Sequence, residues 1–133
     1  MKDLTNRIDV RPVIHPGAVN NTTSKVGQII DINGFYSLTY VIATGNIDDA
    51  DASFVVLLEH SDHADMSDAW AVGDDELLGT EVLASFRYDN DLETRKLGYI
   101  GPKRYTRLTI TPVANSASAT FAAFAVLGHP AKS

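Results

Sequence analysis

The chain has 133 residues, no cysteine and a formal net charge of −6. That length makes one domain, able to bury roughly two-thirds of its unfolded surface without staples, and the missing thiols exclude disulfides, zinc–thiolate sites and cysteine catalysis. No apolar stretch approaches the ~20 residues that span a bilayer, and MKDLTNRIDV lacks a signal-peptide apolar run, so no membrane contact is expected and synthesis is expected in a cytoplasm.

Strand signals dominate the chain order. Arg7 to Ile14 reads as an edge strand because Pro12 cannot donate to a ladder, and His15 to Lys25 as a polar loop. Gln28 to Ile32 is a short strand, and Asn33-Gly34 between apolar runs is a strong hairpin signal. Phe35 to Ala43 follows, with Tyr36, Leu38, Tyr40 and Ile42 on one face. In Ser53 to His60 both alternating sets are apolar, which predicts cover on both sides. Ala69 to Val72 is a helical turn or a short strand, and Asp74 to Leu78 one helical turn stopped by Gly79. Val82 to Tyr88 and Leu92 to Ile100 read as strands joined by Asp89-Asn90-Asp91. Gly98 to Ile110 reads as a hairpin turning at Gly101-Pro102. Its second strand puts Thr106, Leu108 and Ile110 on one face and Arg107, Thr109 and Thr111 on the other. Thr120 to Leu127 (TFAAFAVL) has no polar face: the strand is buried on both sides, or one side meets another subunit. About eight short strands with almost no helix predict an all-β fold. The expected form is an antiparallel, jelly-roll-like β-sandwich spanning 1–133, with 1–25 as edge strand and loop.

Charge is segregated along the chain. From Val26 to Phe86 there is no Lys or Arg and there are twelve Asp or Glu; from Arg87 onward there are seven basic and three acidic residues. Arg95, Lys96, Lys103, Arg104 and Arg107 cluster around the Gly101-Pro102 turn. In an acidic chain this is too little cation for a nucleic-acid surface. It suits contact with anionic protein, a neighbouring copy included, and part of it can pair locally with Asp89, Asp91 and Glu93.

No chemistry stands out. Glu59, His60, Asp62, His63 and Asp65 supply metal-type ligands, but no glycine turns the loop as calcium loops require, and zinc would need a third ligand from elsewhere. Asp48, Asp49, Asp51, Asp74, Asp75 and Glu76 lie among small polar residues, with no apolar pocket to raise one carboxyl as paired-carboxylate catalysis demands. His15, His60, His63 and His129 accompany no Gly-x-Ser-x-Gly elbow or phosphate loop. The expectation is therefore no enzyme, no catalytic residue, no metal and no cofactor. A sugar-binding sandwich would need exposed aromatics in a row, for which Tyr36, Tyr40, Tyr88 and Trp70 are the candidates.

The segments KLGYIGPKRYTRLTITP, AAFAVLGHP, FVVLLEHSD and DDELLGT, from about Gln28 to Pro130, resemble small proteins of tailed bacteriophages and prophages encoded beside the major capsid protein. The pattern G-Y-x-G-x-K-R-Y-x-R falls here on Gly98, Tyr99, Gly101, Lys103, Arg104, Tyr105 and Arg107. Members of that kind resemble capsid decoration, or cement, proteins. The resemblance implies a jelly-roll-like sandwich made in the host cytoplasm. It would sit on the capsid exterior, bind the major capsid protein, and form a homotrimer without catalysis. The alternative role in the same setting is a head–tail connector or tail component. The expected interfaces are the charged hairpin (Arg95, Lys96, Lys103, Arg104, Arg107) and the apolar strand (Phe121, Ala123, Phe124).

Overall fold

A computed structural model describes residues 3–87, 89 and 93–130. After a 3₁₀ turn at Thr5–Arg7 come β1 (Ile8–Val19), β2 (Lys25–Val26), β3 (Ile30–Asp31), β4 (Phe35–Ile47), β5 (Ser53–Ser61) and β6 (Trp70–Ala71). A 3₁₀ turn at Asp74–Glu76, β7 (Leu77–Leu78), the helical turn α1 (Glu81–Ala84) and β8 (Phe86–Arg87) lead to β9 (Thr94–Tyr99), β10 (Tyr105–Val113) and β11 (Ala119–Pro130).

The strands form two antiparallel sheets. One runs β1-β11-β4-β9-β7; the other runs β2-β10-β5-β6, with β3 also on β10 and β8 also on β5. β2 and β3 meet successive stretches of β10, and β6 and β8 opposite ends of β5, so each couple acts as one interrupted strand. Counted that way, with β7 as an extra edge, eight strands lie in the orders 1-8-3-6 and 2-7-4-5. First pairs with last, second with seventh, third with sixth and fourth with fifth. This is a long hairpin rolled on itself: the jelly-roll topology of the predicted β-sandwich.

Period-two alternation builds the core. Leu38, Tyr40 and Ile42 of β4, Phe54, Val56 and Leu58 of β5, and Leu108 and Ile110 of β10 all point between the sheets and are buried. Phe54 and Phe86 stack at 4.8 Å, and Phe121 crosses from the other sheet to meet both edge-on at 5.6 and 5.5 Å. This aromatic triad ties the layers together.

Several local expectations change. The Gly98–Ile110 segment is not a hairpin: β9 belongs to one sheet and β10 to the other, so Gly101-Pro102 is a corner between layers. Asn33-Gly34 is also a corner, because β3 pairs with β10 while β4 pairs with β9 and β11. Gly34 does take the left-handed backbone, at φ +97°. Val82–Tyr88 is not a continuous strand. It begins within α1, and the side chains of Glu81 in that turn and of Ser85 just after it accept the β5 amides of Leu58 (2.6 Å) and Val56 (3.0 Å). Those amides lie between the stretches of β5 that β8 and β6 cover, so the turn seals a gap in the ladder. β1 is an edge strand, as Pro12 implied, but continues through His15 to Val19 with irregular register at Pro12/Ile14 and Ile14/Gly17. The Asp89-Asn90-Asp91 connection, with Tyr88 and Leu92, falls largely outside the described residues.

The strand β5, expected to be covered on both sides, is covered on one, and β11, for which burial on both sides and an apolar contact face were both open, also turns one face to the core. Val55 of β5 is 49 % exposed. In β11, Phe121, Ala123, Ala125 and Leu127 face the core, while Phe124 and Val126 turn outward. Phe121 and Ala123 are thus core residues, 2 % and 0 % exposed, and only Phe124 of the three expected apolar interface residues is on a surface. Leu108→Ala should cost about 2–5 kcal/mol of unfolding free energy in denaturant titration, since Leu108 is fully enclosed; a loss well under 1 kcal/mol would contradict this packing.

Candidate functional site

The two corners meet at one end of the sandwich. The Ile32 amide donates to the Arg104 carbonyl (2.9 Å), which joins them through the backbone. Arg104 then grips Asp31 with both prongs of its guanidinium, Nε and Nη2 each 2.8 Å from a carboxylate oxygen. That fork holds the Asp31 carboxyl below its ordinary value and raises Arg104,. Arg11 of β1 was not singled out by sequence, yet it donates to the Asp31 carbonyl (2.8 Å) and binds Asp9 (2.8 Å).

Three other cations of the cluster are also engaged. Lys103 Nζ lies 2.7 Å from Asp62 and 4.9 Å from the centre of the Trp70 ring, so it combines an ion pair with a cation–π contact,. Its hydrogen bond to Asp62 raises its pKa. Arg107 sits directly across from Glu59 in the β10–β5 register and reaches it at 3.2 Å. Arg95 meets Glu93 at 3.1 Å, one of the local partners expected. The partners of Arg104, Lys103 and Arg107 come from the acidic half of the chain. Charge segregation in the sequence is therefore charge complementarity inside the fold. Lys96 is exposed on β9, on the opposite face of that strand from Leu97.

Beneath the corner lies a buried polar network. The Lys103 amide donates to the Tyr99 hydroxyl (3.0 Å), which also hydrogen-bonds His60 Nδ1 (2.8 Å). His60 Nε2 is buried and has no hydrogen-bond partner among the described residues. His60 meets Trp70 edge-on at 5.5 Å. Burial lowers the His60 pKa and pushes Tyr99 up to about 12. Deeper in, Tyr40 bonds Thr106 (2.6 Å), and burial raises its pKa. Gly101 is required here: a Cβ would stand 2.5 Å from Glu76 Oε2 and 2.6 Å from the Tyr99 hydroxyl.

The residues considered for chemistry are dispersed. Glu59 turns to Arg107 and Asp62 to Lys103, while His63 lies 3.7 Å from Asp68, which itself takes the Ser61 hydroxyl. Asp49 accepts from Ser116 and Asp51 in a surface turn. Among the described residues, no three His, Asp or Glu gather as a metal ion would need. Of the aromatics, Tyr40 is fully buried, Tyr36 is 79 % and Trp70 49 % exposed, and Tyr88 lies outside the described residues.

The outer face of the five-stranded sheet is the second notable surface. Three cross-strand rows run Val10–Val126–Thr39–Gly98–Leu78, Pro12–Phe124–Val41–Lys96 and Ala122–Ala43–Thr94. Lys96 is the single charged residue in them. Leu78 leans over Gly98, where a Cβ would come within 3.0 Å of it, so the surface stays flat.

No family model matches the chain, and no curated protein does. Among solved structures, the crystal structure of the SPBc2 prophage-derived protein YomS is similar, with a TM-score of 0.41 and 13 % identity over 90 % of this chain and 94 % of that one.

Two outcomes are expected. Arg107→Glu places like charges opposite each other and should lower stability by ~1 kcal/mol in urea unfolding, with Glu59→Arg added in the same chain restoring most of it. His60 gives a pH signature. Below its ordinary pKa of 6.5 the unfolded chain takes up a proton that the folded chain resists. Stability therefore falls as pH drops from 6.5 toward the lower folded value. Thermal unfolding across this window should show the fall, and His60→Gln should flatten it.

Proposed function

We propose that this protein is a non-catalytic structural component of a bacteriophage virion, decorating the capsid exterior and acting through contacts with the major capsid protein and with its own copies as a homotrimer. One observation supports the reading above the others: the outer face of the five-stranded sheet presents three rows of apolar and small residues with one lysine. Monomers keep such faces small, and a larger one marks a contact with another protein. The corner cations support the same reading differently from what sequence implied. Lys103, Arg104 and Arg107 are engaged by Asp62, Asp31 and Glu59, so they stiffen the unit, and the apolar sheet is the better candidate for the contact. A rigid sandwich repeated over a shell gains avidity from many weak contacts.

Sedimentation at micromolar concentration should show a trimer. Phe124→Glu should raise its dissociation constant at least about tenfold, ~1.4 kcal/mol, while leaving the unfolding midpoint of the monomer near that of the parent, because Phe124 points away from the core. A species that is monomeric at every concentration would remove the oligomer. Antibody label on virions should cover the whole shell; label at a single vertex would instead identify a head–tail connector.

A further inference from the structure

The sandwich end where the two corners meet forms a concave surface, and we propose that it is a binding site for a neutral saccharide, independent of the apolar sheet and of the reading built on it. The cleft is shallow and open to solvent, with about 470 Å³ of space, and is lined by Asn33, Phe35, Tyr36, Pro102, Lys103 and Arg104 among others. A pyranose ring has an apolar C–H face and a rim of hydroxyls. It needs an aromatic surface to lie on and fixed polar groups around it, the mixture common to small-molecule sites.

Tyr36 supplies the aromatic surface. It shares the strand parity of the core residues Leu38 and Tyr40, yet it is 79 % exposed, because β4 begins beyond the last core layer. Its ring therefore borders the cleft with little covering it. Trp70, 49 % exposed, does not line the cleft but touches it through Lys103, whose Nζ lies 4.9 Å from its ring centre.

The polar rim is rigid and nearly neutral. Arg104 is locked by two 2.8 Å bonds to Asp31, and Lys103 by a 2.7 Å bond to Asp62. Held this way, the charged groups lose little freedom when a hydroxyl approaches. Because each cation carries its own carboxylate, the site has no excess charge to draw a phosphate or an acidic polymer. The Asn33 side chain, exposed at the cleft edge, adds an amide that both donates and accepts.

The test is a printed array of neutral and acidic oligosaccharides probed with the full chain, followed by titration of any retained neutral sugar, read by calorimetry and by the fluorescence of Trp70, the sole tryptophan. At least one neutral glycan should bind, Tyr36→Ala should weaken it tenfold or more, and Tyr36→Phe should bind within about twofold of the parent. Tyr36 is too exposed for either change to unfold the domain. An array with no neutral hit overturns the proposal. So does a neutral sugar that Tyr36→Ala binds as tightly as the parent, or binding confined to acidic glycans and lost in high salt.

Discussion

The register of β10 against β5 fixes most of what else the molecule does. With Leu108 opposite Leu58 and Arg107 opposite Glu59, one face of the pair enters the core and the other carries a matched ion pair. A slip of one residue would send Leu108 and Ile110 to solvent and bring Arg107 inside. β10 also pairs with β2 and β3, so its register passes directly to the corner where Arg104 meets Asp31. The cost of moving it is spread over the whole four-strand ladder.

The parts legible in sequence were those governed by local periodicity. β4 and β10 alternate cleanly because a single core lies on one side of each, and their inward residues were identifiable from period two alone. Turn chemistry was legible too, but only as a change of direction. Asn33-Gly34 and Gly101-Pro102 do reverse the chain, yet nothing within a few residues says which sheet receives the next strand. The partner of β3 is β10, and the partner of Arg104 is Asp31, 73 residues away. Sequence shows only neighbours along the chain, so it offered Asp89, Asp91 and Glu93 as partners and could not offer Asp31, Asp62 or Glu59. TFAAFAVL left two readings open for a different reason: when both alternating sets are apolar, the pattern cannot separate a buried face from an apolar exposed one. His15 to Val19 looked like loop because it opens the polar stretch rich in Asn and Thr that runs to Lys25, and pairing with β11 overrode that composition with an irregular register. Tyr36 gave a correct parity and a misleading inference, since parity does not reveal where the core ends.

The edges of the sandwich are guarded, and this restricts how it can meet other molecules. Pro12 and two irregularities break the outer ladder of β1, while Glu81 and Ser85 occupy amides of β5 that another strand could otherwise use. Pairing of a foreign strand is thereby discouraged. What remains open is a flat apolar sheet on one side and a polar concave end between the corners. These differ in chemistry, the first suited to packing against protein and the second to hydrogen-bonding a compact ligand, and the paired cations belong to the framework that separates them.

The position of β11 has a consequence in time. It lies between β1 and β4 and supplies Phe124 and Val126 to the outer face, although it is made after every other strand. β1 and β4 have no shared neighbour until it arrives, so the five-stranded layer closes last, through contacts that span nearly the whole chain. Pairings that distant form slowly. The flat apolar surface therefore does not exist until β11 has joined β1 to β4, and the feature most prone to indiscriminate sticking is assembled by the same event that closes this sheet.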